Sequence, residues 1–176
     1  MNGLAGPLHG LANQECLRFL LDLQNKLGTK WTHDDIEKSV IETLKSGRVV
    51  PGYGHAVLTK TDPRFMCELE FAESNIKDDN LVNLVKACYH VVPIVLSQVK
   101  ANISNPWPNV DAGSGALLMH YGLDQFEYYT VLFGVSRAFG VMSSQVWSRA
   151  LGLPIERPDS YTIDYLTHKI DHHARH

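Results

Sequence analysis

Apolar residues recur along this chain at three- and four-residue intervals, and no stretch of useful length alternates between apolar and polar positions. That period belongs to helices, so the pattern predicts an all-α fold. Leu17, Leu20, Leu21 and Leu27 mark a helix over about 12–27, which Gly28 ends. Thr32 followed three residues later by Asp35 resembles a capping box, and Ile36, Val40 and Leu44 form the buried stripe of a second helix that stops at Gly47. Asp62 before Pro63 reads as an N-cap with proline in the first helical position, opening a helix to about Ile76. Leu81, Leu84, Val85, Cys88, Val92, Val95, Leu96 and Val99 sustain the period through Pro93, which should kink the helix without ending it. A short helix over about 114–121 ends at Gly122. A long apolar helical region from about Gln125 to Leu151 stops at Gly152 and Pro154. No internal repeat is visible.

The breaks between these helices carry the chemistry. Arg48-Val49-Val50 is a short extended segment that delivers Pro51-Gly52-Tyr53-Gly54-His55. Asn105-Pro106-Trp107-Pro108 is a stiff loop, since each proline restricts itself and the residue before it, and it leads to Asn109-Val110-Asp111-Ala112-Gly113-Ser114-Gly115. A third turn, Gly6-Pro7-Leu8-His9-Gly10, precedes the first helix. One carboxylate and two imidazoles thus occupy three separate glycine-rich turns, where backbone approaches a ligand closely and side chains can be aimed at one point. The bland alternatives are that Asp111 caps the next helix and that His9 and His55 are satisfied turn histidines.

Composition narrows the class. The 176 residues, 44% hydrophobic, suffice for one medium domain or two small ones with a real core. A net charge of −3, with no basic run or stripe to neutralise a phosphate backbone, argues against nucleic acid as a partner. No apolar stretch is expected to reach the ~18 residues that span a bilayer, and the start lacks the regions of a secretory signal. Cys16, Cys67 and Cys88 are odd in number and widely spaced, and read as reduced core thiols rather than disulfides or a catalytic thiol. His168, His172, His173 and His176 form a histidine-rich tail that reads as solvated, so no metal is expected.

The stretches 1–10, 47–55 with Lys60-Thr61-Asp62-Pro63-Arg64, 105–111, 128–137 and 147–158 together resemble the eukaryotic citrate synthase family, in order and at its spacing, from Met1 to about residue 160. Family members are well over twice this length. The resemblance therefore implies the C-terminal part of such a protein: residues 1–11 as the end of a large domain and hinge, 12–122 as a small domain, and 123–176 as closing helices and tail of the large domain. It implies Asp111 as the base that takes a proton from the methyl of acetyl-CoA, His9 as donor to the thioester oxygen, and His55 as donor to the ketone of oxaloacetate. Arg64, Arg137 and Arg157 are the implied partners of the substrate carboxylates, as suits a planar, permanently charged fork, with Phe133 lining the same site. Leu8, Val49, Val50, Gly52, Tyr53, Gly54 and Asn109 correspond to positions that enclose the coenzyme, largely by main chain.

The resemblance further implies no permanently bound cofactor, a homodimer, and the mitochondrial matrix. Two positions depart from the pattern. Thr59 stands where the family often has arginine after His-Ala-Val-Leu, so a phosphate contact is lost or passes to Lys60. Gly113 stands where Asp-Ala-His-Ser-Gly is common, which alters the immediate support of Asp111. Citrate synthase is the first expectation. A 2-methylcitrate synthase using propionyl-CoA, or a truncated non-catalytic chain that binds CoA or a partner subunit, are the alternatives.

Overall fold

A computed structural model describes residues 6–55, 57–100, 103–154 and 162–163. Its regular elements are helical: α1 (Ala12–Leu27), α2 (His33–Lys45), α3 (Pro63–Asn75), α4 (Asn80–Val99), α5 (Asp111–His120) and α6 (Tyr129–Ala150), the last preceded by a 3-10 turn at Phe126–Tyr128. Among the described residues the only β pairing is one antiparallel bridge between Tyr53 and Pro108. The chain divides into two compact units, residues 1–137 and 138–176.

In the first unit α4 is the central helix, packed against α1, α2 and α5, while α1 and α3 both lie on α5. Leu84, Val92 and Val95 of α4 meet Leu17 of α1, Ile36 and Val40 of α2 and Phe65 of α3 in one buried cluster. These are the residues of the helical stripes, and their burial accounts for most of the driving force of the unit. The helix ends follow the local signals. Thr32 Oγ1 accepts from Asp35 N–H while the Asp35 carboxylate accepts from Thr32 N–H, completing the capping box. Asp62 caps α3 ahead of Pro63, and Asp79 caps α4 through Leu81 and Val82. Pro93 lies inside α4, which runs through it.

Three expectations are corrected. α4 is 20 residues long with a mean hydropathy of 1.3, enough by length and composition to cross a membrane, although no stretch of that kind was expected. Its apolar sides are instead largely buried between α1, α2 and α5, as in the central helix of a packed bundle. Cys67 is exposed on α3, not in the core, because the buried side of that helix is set by Phe65 and Ala72. Cys16 and Cys88 are buried as expected, and burial pushes both thiols up, Cys88 to about 12, so neither presents a thiolate.

The third correction bears on the site. α5 begins at Asp111, three residues before the expected start. The Asn109 side chain accepts the Asp111 N–H at 3.0 Å, and Asp62 Oδ2 accepts the Val110 N–H at 3.2 Å. Amides that a helix end leaves unsatisfied are thus served from outside the helix, and the first turn forms across the Asp-Ala-Gly sequence.

Within the second unit, Phe139, Val141, Met142, Val146 and Trp147 of α6 are exposed, each 59–70% accessible. In the first unit Val131, Leu132 and Val135 of the same helix are about half exposed.

Candidate active site

The three glycine-rich turns converge at one end of the first unit. α1 and α5 approach so closely that a Cβ on Gly115 would lie 3.1 Å from Leu17 Cβ, and Asn13 of α1 donates to Ser114 Oγ of α5 at 2.5 Å. The start of α1, which carries the His9 turn, therefore lies beside the start of α5, which carries Asp111.

The loop at 50–55 is wedged against both. Gly52 has φ +81°, and a Cβ there would meet Cys16 Sγ of α1 at 2.7 Å and Ala112 Cα of α5 at 2.9 Å. Only glycine fits that conformation and that gap. The same loop is tied to the 105–110 loop by main chain: Asn109 N–H donates to Gly52 O and Gly54 N–H to Trp107 O, both at 2.9 Å. The Asn109 amide also donates to Gly54 O, and the Asn105 amide to Leu58 O.

Asp62 is the hub of this arrangement. It is fully buried, and its carboxylate accepts from Val110 N–H, from Arg64 N–H and from the Arg64 guanidinium in a two-pronged fork, Nε at 3.0 Å and Nη2 at 2.7 Å. The Arg64 fork holds the Asp62 carboxyl below the usual carboxylate range despite its burial. The Arg64 side chain remains 62% exposed and has committed only part of its donor set, so it can still receive an anion.

Around this scaffold lie the titratable side chains. Burial pushes the Asp111 carboxyl above the ordinary range, and Asp62 adds to the rise, while Arg64, His9 and His55 lie near enough to pull it back. The residue before it, Val110, makes no side-chain cap, and Asp111 is itself inside the helix, so the carboxyl is free of the capping role. A half-buried carboxylate of raised basicity, surrounded by cationic and donor groups, can accept a proton from carbon.

The His55 ring has a defined tautomer. Its Nδ1 accepts from the N–H of both Val57 and Leu58 at 2.9 Å, so the ring proton is on Nε2, which is left as a donor. His9 stands edge-on to Phe133, ring centroids 5.1 Å apart, and the Arg137 guanidinium lies over the same ring at 5.1 Å. Phe133 thus links a histidine of the first turn to an arginine of α6.

Of the positions expected to enclose a coenzyme, Leu8 and Val49 are exposed apolar side chains, 84% and 57% accessible. Val50 is buried in the core and can offer main chain only. Tyr53 packs against the core, with burial raising its phenol well above the usual value. Gly52, Gly54 and Asn109 hold the loops together through the bonds above. Arg157 and the histidine-rich tail lie outside the described residues.

Two side chains at this candidate site escaped the sequence reading. Asp62 was legible as a cap and not as the hub for Arg64 and Val110. Glu68 was not singled out at all, yet burial and the neighbouring Asp111 and Asp62 push its carboxyl up to about 8. Its place four residues after Arg64 on α3 was the available signal.

A family model described as citrate synthase, C-terminal domain, matches residues 1–159. The chain is 58% identical over 167 residues to the mitochondrial citrate synthase of Xiphias gladius, covering 94% of this chain and 35% of that protein. It is 54% identical over 166 residues to the mitochondrial citrate synthase of Daucus carota, with coverage of 94% and 35%. The crystal structure of citrate synthase from Thermotoga maritima MSB8 superposes with a TM-score of 0.65 at 27% identity, over 91% of this chain and 40% of that one. The chain spans about a third of the length of the curated relatives it matches. With a family model matched over 1–159 and all described elements helical, this chain belongs to the citrate synthase family.

Proposed function

We propose that this chain supplies the catalytic and coenzyme-binding part of a citrate synthase, which condenses acetyl-CoA with oxaloacetate and hydrolyses the citryl thioester to citrate and CoA. The observation that carries this reading is the shared neighbourhood of Asp111, His9, His55 and Arg64, in which one basic carboxylate faces two imidazoles and a guanidinium.

In this reading the Asp111 carboxylate removes a proton from the thioester methyl while His9 donates a hydrogen bond to the thioester oxygen, where negative charge develops. The enolate carbon attacks the ketone carbon of oxaloacetate, and His55 Nε2–H gives its proton to the ketone oxygen, which becomes the hydroxyl of citryl-CoA. Water then cleaves the thioester, releasing the CoA thiol and a new carboxylate. Arg64 and Arg137, with Arg157, neutralise the substrate carboxylates, and Phe133 holds Arg137 and His9 in register. Leu8, Val49, Val50, Gly52, Tyr53, Gly54 and Asn109 enclose the coenzyme. Residues 12–122 act as the small domain, 1–11 as its hinge and 123–176 as large-domain helices in a homodimer of the mitochondrial matrix, in keeping with the mitochondrial names of the relatives.

The test is thiol release and citrate formation by the full-length protein given acetyl-CoA and oxaloacetate, with propionyl-CoA in parallel. Faster turnover of propionyl-CoA assigns a 2-methylcitrate synthase instead. Absence of thiol release with either thioester refutes the catalytic reading.

A further inference from the structure

The first turn of α5 has a gap on its α3 side, and a carboxyl fills it. A Cβ on Gly113 would lie 2.9 Å from Glu68 Oε2 and 3.3 Å from the Phe65 ring, so a side chain at 113 and the Glu68 carboxyl compete for one space. Glu68 Oε2 is fully buried and has no hydrogen-bond partner among the described residues. The surrounding walls are apolar, formed by Phe65 and Leu69 of α3, Val82 and Val85 of α4, and Ala116 of α5. An ionised carboxylate lodged there loses hydration with no hydrogen bond to its buried oxygen and only the pull of Arg64 in return, whereas a neutral carboxyl loses much less.

We propose that Glu68 is a positioning residue: its carboxyl, seated without charge in the gap that Gly113 leaves, keeps Asp111 as the base and Arg64 as the cation of one site, and its ionisation loosens the hold on an anionic substrate. The charged and titratable groups that act on it are Asp111 on α5, Asp62 ahead of α3 and Arg64 on α3, and the Cys16 thiol of α1 senses it in turn. From α4 the cavity wall receives Val82 and Val85. Burial comes first, then Asp111 and Asp62, in raising Glu68 to about 8 against the pull of Arg64. Asp111 and Glu68 therefore titrate as a pair. Once Glu68 ionises, its charge joins that of Asp62 in drawing on Arg64, and a dicarboxylate binds less well. The effect falls on KM for oxaloacetate rather than on kcat. This consequence rests on the synthase reading above for the identity of the anion.

Two variants of the full-length protein test it. Glu68→Gln keeps the shape and removes the titration, while Gly113→Ala places a methyl against the end of a flexible side chain and expels the carboxyl. At about pH 7 the infrared C=O band of a neutral buried carboxyl is expected in wild type and missing in both variants. From about pH 7 to about pH 9, KM for oxaloacetate rises about threefold or more in wild type, stays flat in Glu68→Gln and is already high at neutral pH in Gly113→Ala. Oxaloacetate affinity measured by calorimetry gives the same profile without turnover. A band that persists in Glu68→Gln, or a Glu68→Gln profile that coincides with wild type, overturns the proposal. A protein that releases no thiol but shows the stated affinity profile overturns the synthase reading alone.

Discussion

Gly52→Ala is the substitution for which the structure specifies the most. The residue sits at φ +81°, which for an L side chain carries about 1–2 kcal/mol of strain. The added methyl would also meet Cys16 Sγ at 2.7 Å and Ala112 Cα at 2.9 Å. The thiol can rotate away in part, but the second contact is helix backbone and can only be relieved by moving α5 or the loop. Overpacking of that kind costs typically about 1–3 kcal/mol, so the sum is on the order of 2–5 kcal/mol. Because Asn109 N–H donates to Gly52 O, the shift should also disturb the segment leading to Asp111. In the full-length protein the expected outcome is a thermal midpoint lowered by several degrees, with kcat reduced as well. Gly113→Ala is the control: its close contact is the end of the Glu68 side chain, its φ is not left-handed, and it should cost clearly less. Adding Cys16→Ala to Gly52→Ala should recover only the thiol share, leaving the backbone share in a double-mutant cycle. If Gly52→Ala melts with wild type, or if Gly113→Ala is the more damaging of the two, the account of how the loops are held is wrong.

Asp111→Ala should lower kcat by about 10²-fold or more while leaving oxaloacetate binding largely intact, because the base acts in the transition state; retention of most of kcat would sink the assignment. His9→Ala should slow enolisation similarly, whereas His55→Ala should also raise the dissociation constant for oxaloacetate, as read by calorimetry. Glu68, raised from 4.5 to about 8, binds its proton more tightly folded than unfolded, so wild-type stability falls as pH rises through that window. Glu68→Gln should accordingly gain stability relative to wild type as pH rises from about 4.5 to about 8 in thermal melts, with the gain levelling off above, and an unchanged difference between about pH 4.5 and about pH 8 would contradict the burial of its charge-bearing end. The 176 residues by themselves should associate promiscuously and make no citrate, since Phe139, Val141, Met142, Val146 and Trp147 lie exposed on α6. A monodisperse, cooperatively melting monomer in size-exclusion chromatography and calorimetry would refute that.

The sequence by itself determined the helices and their ends, because those are local matters. Apolar spacing along α1, α2 and α4, the Thr32–Asp35 box, Asp62 ahead of Pro63 and the glycines after α1 and α2 each act within a few residues, and the structure places the elements where these signals lie. The candidate acid and base residues were legible for a similar reason: His9 and His55 stand in glycine-rich turns, and Asp111 opens a glycine-rich segment at the start of α5, none of which needs a titratable side chain for its backbone course. Their gathering was not legible, because it depends on the packing of α1 on α5 and on a loop wedged at Gly52, contacts between residues 36 to 101 positions apart. The early start of α5 came from Asp62 and Asn109, which supply acceptors that the helix itself lacks. Glu68 lay hidden for the same cause: on α3 it reads as one more surface carboxylate, and only the missing side chain of Gly113, 45 residues later, makes room for it inside. Local propensity writes the helices into the chain, whereas burial, and with it the proton affinity of each carboxyl, exists only once the helices have met.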